Sequence, residues 1–296
     1  MIDFTDYEID YSHTYNGGNG NKIAIKYDDD IYMLKFPSRL KKGNLSYSNS
    51  VISEYISCHI FDMLGFKTQK TILGMYRIND KVKIVCACKD FTNDHMVLQD
   101  FASIKNTIID SEMNGYGTEL SEIIDTIKSQ KLVDCKKLND YFWDMFIVDS
   151  LLGNFDRHNG NWGFLYDRKD DSACICPIYD CGSCLFPQAD DDMLEFEIHN
   201  EDELNQRVYV FPNSAIKIDN IKINPFKYIY SLENIDCNSA LKRIFPKINI
   251  TKISEFIDNV PYITDVRKLY YKTIIKMRYE KIIKASYEKL MDNELG

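Results

Sequence analysis

The sequence has no long run of lysine and arginine, and its 36 basic residues are outnumbered by 45 acidic ones, for a formal net charge of −9. Nucleic acids and anionic lipid surfaces are held by clustered cations, so no nucleic-acid partner is expected. No apolar run approaches the roughly 18–20 residues that a helical membrane span requires. The opening residues, MIDFTDYEID, lack the basic and apolar segments of a secretory leader. The expected location at synthesis is therefore the cytoplasm; export by a leader-independent route leaves no mark in a sequence. Internal repeats and low-complexity linkers are absent. The nine cysteines are unevenly spaced and odd in number, so at least one stays unpaired, and a reduced interior is the simpler reading. Cys174-x-Cys176 and Cys181-x-x-Cys184 lack the wide separation between pairs that zinc knuckles use. They crowd around Asp180 in apolar sequence and are expected to be buried apolar side chains.

What is present is enough for a substantial core. The 296 residues are 45% hydrophobic and 13% aromatic, room for one large domain or two lobes sharing a cleft. The first third reads as short strands and turns. Residues 15–21 are a turn-rich loop containing Gly17, Gly18, Asn19 and Gly20. Strands are expected at 22–27 and 31–36, joined by a hairpin turn at 28–30, with Pro37 closing the second. A polar segment from 38 to 50 follows, expected to be mobile. Apolar residues then recur at helical spacing over 51–64, and Gly65 supplies a stop. Two further strands are expected at 71–78 and 82–88. Beyond residue 91 long amphipathic segments take over, with helices expected at 138–152 and 264–291. The reading is α+β, with a small β-rich lobe over residues 1–90 and a larger, mainly α-helical lobe over 91–296. The hinge is expected near 86–92, which places Cys86 and Cys88 beside any nucleotide in the cleft.

The chemistry concentrates in Gly153-Asn154-Phe155-Asp156-Arg157-His158-Asn159-Gly160-Asn161, with Tyr179-Asp180-Cys181-Gly182 downstream. An Asp, an Asn five positions later and a second Asp after an apolar strand are what phosphoryl transfer from ATP needs in that order. One carboxylate orients the attacking hydroxyl and accepts its proton. An amide oxygen and the second carboxylate hold the Mg²⁺ that bridges the phosphates. Asp156 and Asn161 fall at the two ends of a loop between the helix at 138–152 and a returning strand at 162–166. Asp180 follows a strand expected over 174–179. The competing reading is a surface loop whose Asn, Asp and Gly residues make turns.

Lys35 occupies an inward-alternating position of an apolar strand, where an unpartnered ammonium is costly; a phosphate or carboxylate is expected beside it. Glu54 on the following helix is the natural counter-ion. The alternatives are an edge lysine and a helix glutamate that both reach solvent. The loop at 17–20 is placed to offer backbone N–H groups to phosphates, although it is no Walker A motif, and a plain hairpin connection is the alternative. The acidic run over 190–203 reads as a solvated loop, or, from its position after Asp180, as an activation-type segment selecting basic substrates.

These residues resemble the HipA-type serine/threonine kinases. The stretch from Asn154 to Asn161 matches that family's Asn-x-Asp-Arg-His-x-x-Asn loop, Leu34-Lys35-Phe36-Pro37 its lysine strand, Ser53-Glu54-Tyr55 its helix glutamate and Pro177-Ile178-Tyr179-Asp180 its metal-binding aspartate strand. Compact length and Phe211-Pro212-Asn213-Ser214 are similar to the stand-alone branch of the family. The resemblance implies a bilobal atypical protein-kinase fold that phosphorylates serine or threonine using ATP and Mg²⁺. It implies Asp156 as base, Asn161 and Asp180 on the metal, and Lys35 on the phosphates. Protein hydroxyls, including the protein's own, are the expected acceptors, with Ser38, Ser46, Ser48 and Ser50 as self-acceptors. The glycine-rich loop begins too early to leave room for the extra N-terminal subdomain of HipA toxins. Phosphatidylinositol kinases carry a similar Asp-Arg-His-x-x-Asn loop. A lipid or small-molecule kinase is therefore one alternative, and a nucleotide-binding pseudokinase serving as an interaction module is another.

Overall fold

A computed structural model describes all residues except 1, 14, 16–21, 39–47, 110–112 and 296. Its first layer is an antiparallel four-stranded sheet in the order β1 (Lys22–Tyr27), β2 (Asp30–Lys35), β4 (Lys81–Lys89), β3 (Thr71–Ile78). Two tight turns make it possible. Asp28 and Asp29 join β1 to β2, and Asn79 and Asp80 join β3 to β4, all four in the left-handed region that short polar side chains tolerate. The N-terminal residues protect both edges of this sheet. Along β3 the Phe4 N–H donates to Met75 O and the Met75 N–H to Ile2 O, while beside β1 the Asp10 N–H donates to Ala24 O and the Lys26 N–H to Glu8 O. Ladder groups at both edges are thus paired instead of open to another chain.

Between β2 and β3 runs α1 (Ser50–Met63), whose Gly65 adopts φ +89 just past its end. One face of the sheet carries its own cluster of Phe4, Ile25, Tyr32, Leu34, Phe36, Val85 and Ala87. On the other side, α1 joins a core that continues through the larger, helical part of the molecule.

That part opens with β5 (Met96–Asp100), α2 (Phe101–Ile108) and α3 (Leu120–Ser129), and is organised around α4 (Cys135–Leu152). Asp134 caps α4 by accepting from the Lys137 N–H, and Gly153 ends it at φ +66. Every residue of α4 from Met145 to Leu152 is buried, as befits a helix surrounded by others. Next come β6 (Gly163–Asp167) and β7 (Ser172–Ile175), which with β5 form a three-stranded sheet in the order β5-β6-β7. The remainder is α5 (Asp191–Ile198), α6 (Glu201–Tyr209), a small hairpin of β8 (Lys217–Ile218) and β9 (Ile221–Lys222), then α7 (Pro225–Ser231), α8 (Ile235–Ile244), α9 (Ile250–Asp258), α10 (Asp265–Arg278) and α11 (Ala285–Leu295). Among the described residues no helix is long and apolar enough to cross a membrane.

Three local expectations need correction. The strand ahead of Asp180 stops at Ile175, because Pro177 supplies no N–H to a ladder and the chain there makes only an isolated bridge between Thr68 and Ile178. Residues 190–203 are no solvated loop but parts of two helices. Asp190 and Asn200 cap them, and their first turns hold Asp191 and Asp192, then Glu201, Asp202 and Glu203, where the positive end of the helix dipole favours acids. Glu197 is buried and accepts from Arg207 and from the Tyr270 hydroxyl. Of the four cysteines near Asp180, Cys176, Cys181 and Cys184 are buried, whereas Cys174 is exposed on β7.

Candidate active site

Lys35 ends β2, a strand that buries Tyr32 and Leu34 on one face and presents Lys35 on the other, toward α1. Its ammonium lies 2.8 Å from Glu54 Oε2 and 3.0 Å from Asp180 Oδ1, so one cation bridges two elements that are distant in sequence. Glu54 is 1% exposed on α1, and burial raises its pKa while Lys35 pulls it back. Burial alone would disfavour the Lys35 ammonium, but Asp180 and Glu54 outweigh it and hold the group well above its ordinary value. Lys35 drives the Asp180 carboxyl down to about 2. At neutral pH the cluster is therefore a lysinium, an ionised Asp180 and a deeply buried glutamate. Lys22 stands directly across the strand pair from Lys35, adding a second lysine that the sequence reading did not single out.

The loop after α4 is shaped by its own polar side chains. Asn154 donates to Asp149 Oδ1 at 2.8 Å and accepts from the Asp156 N–H at 3.1 Å. The Asp156 carbonyl accepts from the His158 N–H and from the Asn161 side-chain amide, each at 2.8 Å. That second bond occupies the Asn161 nitrogen and leaves its oxygen to face a cation. Asp156 is the exposed member of the loop, with Ser183 Oγ 3.5 Å from Oδ2. Desolvation by the cleft walls raises its pKa, the neighbouring Asp180 charge adds to this, and His158 opposes it. A carboxylate of raised pKa facing an open cleft is suited to accept a proton.

Beneath the loop lies Arg157, buried against Asp149. Its Nη1 donates to the carbonyls of Asn161 at 2.9 Å and Tyr179 at 2.6 Å, so one guanidinium fixes the residues carrying and preceding the two metal candidates. Tyr179 returns the tie, its hydroxyl donating to Gly160 O at 2.8 Å. Asp180 itself takes φ +53, and the following Gly182 lies so close beneath α1 that a Cβ there would sit 3.3 Å from Glu54 Oε2. The backbone turn thus aims Asp180 back at Lys35.

Lys35, Glu54, Asp156, Asn161 and Asp180 are brought to one cleft. Cys86 and Cys88 stand in register with Lys35 and Met33 and are fully buried in the core shared with α1. Gly17, Gly18, Asn19 and Gly20 lie outside the described residues. The chain on either side of them is placed: the Tyr15 hydroxyl donates to Asp90 at 2.7 Å, and Lys22 begins β1. Of the proposed self-acceptors, Ser46 also lies outside the described residues, and Ser50 is the first residue of α1.

Sequence reasoning missed Asp149, Arg157 and Asn159. The signal for Asp149 was an acid in the apolar run Phe146-Ile147-Val148-Asp149-Ser150-Leu151-Leu152, which requires a buried partner. Asn159 donates to the carbonyls of Gly115 and Gly117 at 2.9 and 2.7 Å, anchoring the catalytic loop to the segment ahead of α3.

Asn161, whose amide nitrogen is engaged by the Asp156 carbonyl, and the ionised Asp180 each offer an oxygen donor, and Mg²⁺ is commonly held by one or two protein oxygens together with substrate phosphates, so the donor set fits.

Residues 14–243 match the family described as HipA-like C-terminal domain. The serine/threonine-protein kinase CtkA of Helicobacter pylori strain J99 is 47% identical over 276 residues, covering 93% of this chain and 84% of that protein. The crystal structure of a Helicobacter pylori proinflammatory kinase CtkA superposes with a TM-score of 0.93 at 45% identity, covering 100% of this chain and 99% of that one. HipA of Shewanella oneidensis MR-1, solved with HipB and operator DNA, gives a TM-score of 0.57 at 16% identity over 94% of this chain and 68% of that one, a likeness of fold alone.

Proposed function

The chain belongs to the HipA-like C-terminal domain family and is a serine/threonine protein kinase of that type, and from that premise we propose that Asp156, Lys35, Asn161 and Asp180 transfer the γ-phosphate of ATP to a protein hydroxyl. The observation that carries the assignment is the Lys35 ammonium shared between Glu54 and Asp180, at 2.8 and 3.0 Å. Glu54 orients the lysine from inside the core, and the lysine's other contact is Asp180, the proposed metal ligand. Lys35 then acts as a fixed positive charge on the phosphates. Mg²⁺, when bound, would supply positive charge to the nucleotide's phosphates. Asn161 and Asp180 are its proposed protein ligands. The acceptor hydroxyl oxygen attacks the γ-phosphorus, its proton passes to Asp156, and ADP leaves.

The division we adopt puts residues 1–90 in the small lobe and 91–296 in the large one. The loop from Gly17 to Gly20 is assigned to the phosphates, and the strand holding Cys86 and Cys88 to the wall beside the base. Acceptors are protein serines or threonines, with the protein itself among them. A competition assay tests this reading: γ-labelled ATP and Mg²⁺ are supplied with a serine-containing protein acceptor and with phosphatidylinositol vesicles. Label on protein serine or threonine is expected, and label confined to lipid contradicts it.

A further inference from the structure

The β8–β9 hairpin contributes nothing to the machinery described so far, yet it is built against it. Its turn residues Asp219 and Asn220 take φ +52 and +65, and the Glu119 carboxylate accepts from both of their N–H groups, at 2.7 and 3.1 Å. The Lys217 N–H donates to Thr118 O at 2.9 Å, and the Thr118 hydroxyl donates to Ala215 O at 2.6 Å. The segment that receives these bonds is the one Asn159 of the catalytic loop holds through Gly115 and Gly117. A continuous set of hydrogen bonds therefore fixes the hairpin relative to Asp156.

Lys217 and Lys222 are directly opposed across the hairpin, so their side chains share one face. Like charges in that position destabilise a strand pair. Among the described residues neither ammonium has a carboxylate partner, in a chain whose net charge is −9. Two unneutralised cations held side by side by a pinned turn are a receptor for an anion. The cleft also divides by charge. After burial, the groups acting on Asp156 include His158 and Lys222, whereas the cations acting on Asp180 are Lys35, Lys22 and Arg157. Lys222 is the weakest of the charges felt by Asp156, and together with the hydrogen bonds that pin the hairpin to the segment held by Asn159 it puts the hairpin on the Asp156 side of the cleft.

Resting on the kinase reading, we propose that the β8–β9 hairpin is the acceptor-reading wall of the cleft, where Lys217 and Lys222 bind an acidic side chain flanking the serine or threonine to be phosphorylated. The substrate class is therefore an acidic acceptor segment, opposite to the preference for basic substrates that the acidic run at 190–203 suggested.

The test is a degenerate peptide library with one fixed serine or threonine, offered with ATP and Mg²⁺ to the full chain, to Lys217→Glu/Lys222→Glu and to Lys217→Gln/Lys222→Gln. The parent is expected to favour Asp or Glu over Lys beside the acceptor by about tenfold in kcat/KM. Charge reversal is expected to invert that preference, and the neutral pair to flatten it. No acidic preference in the parent overturns the proposal, as does an unchanged preference in both variants. A rise in the KM for ATP without a change in peptide preference also overturns it, by placing the lysines on the nucleotide. Autophosphorylation by the parent is read in the same reactions. Absence of label on both the peptides and the protein contradicts the kinase reading, whereas transfer to either without acidic preference contradicts only the acceptor assignment.

Discussion

Arg157 and Asp149 form a buried ion pair, 3.0 Å from Nε to Oδ2, directly beneath the catalytic loop. The pair joins α4 to the loop, and the remaining guanidinium donors reach Asn161 O, Tyr179 O and the Cys181 sulfur. Rigid placement of Asn161 and Asp180 follows from this one side chain, which acts on the chemistry through position.

Removing one partner of such a pair leaves the other charge buried, a loss of roughly 3–5 kcal/mol. Asp149→Ala is expected to lose stability in that range, measured by urea unfolding of the nucleotide-free protein. Arg157→Lys keeps the charge but not the planar fork, and is expected to lower kcat more than it alters the KM for ATP. A stability loss below about 1 kcal/mol for Asp149→Ala contradicts the assignment.

Lys35→Met removes both the phosphate cation and the partner of Glu54. Phosphate transfer is expected to fall at least about 10²-fold. Stability is also expected to fall, since Glu54 is left buried without a counter-charge. The double variant Lys35→Met/Glu54→Met is expected to regain stability but not activity. Recovery of activity in the double variant would remove Lys35 from the mechanism.

The raised pKa of Asp156 sets the acid side of the pH profile. The base works only when ionised, so activity is present above the folded-state pKa and lost as pH falls through it. Because burial and Asp180 move that value above 3.8, the acid limb of the initial rate is expected above the ordinary aspartate range. A limb at or below 3.8 contradicts Asp156 as base.

Asp180→Asn separates metal from nucleotide. A ligand bound only by the folded state raises the melting temperature. The parent is expected to be stabilised more by ATP with Mg²⁺ than by ATP with EDTA, and Asp180→Asn to lose that difference. An undiminished Mg²⁺ effect in the variant would place the metal elsewhere.

Much of this site is legible in the sequence because its signals are local. Asp28-Asp29 and Asn79-Asp80 mark turns and Gly65 and Gly153 end helices, whereas the alternation in β2 buries Tyr32 and Leu34 and turns Lys35 to the opposite face, toward Glu54 of α1. The catalytic loop is one continuous stretch. What escaped depends on partners distant in the chain. Arg157 meets Tyr179 22 positions on, and Glu119 meets Asn220 101 positions on. The acidic run at 190–203 misled because the same charges that suit a solvated loop also suit two helix N-termini.

The most direct measurement is the intact mass of the purified protein after incubation with ATP and Mg²⁺, beside Asp156→Asn. The account predicts a gain of whole phosphates in the parent and none in the variant, with the variant still stabilised by ATP and Mg²⁺. Equal phosphate gain in both proteins would contradict Asp156 as the base on which this account depends.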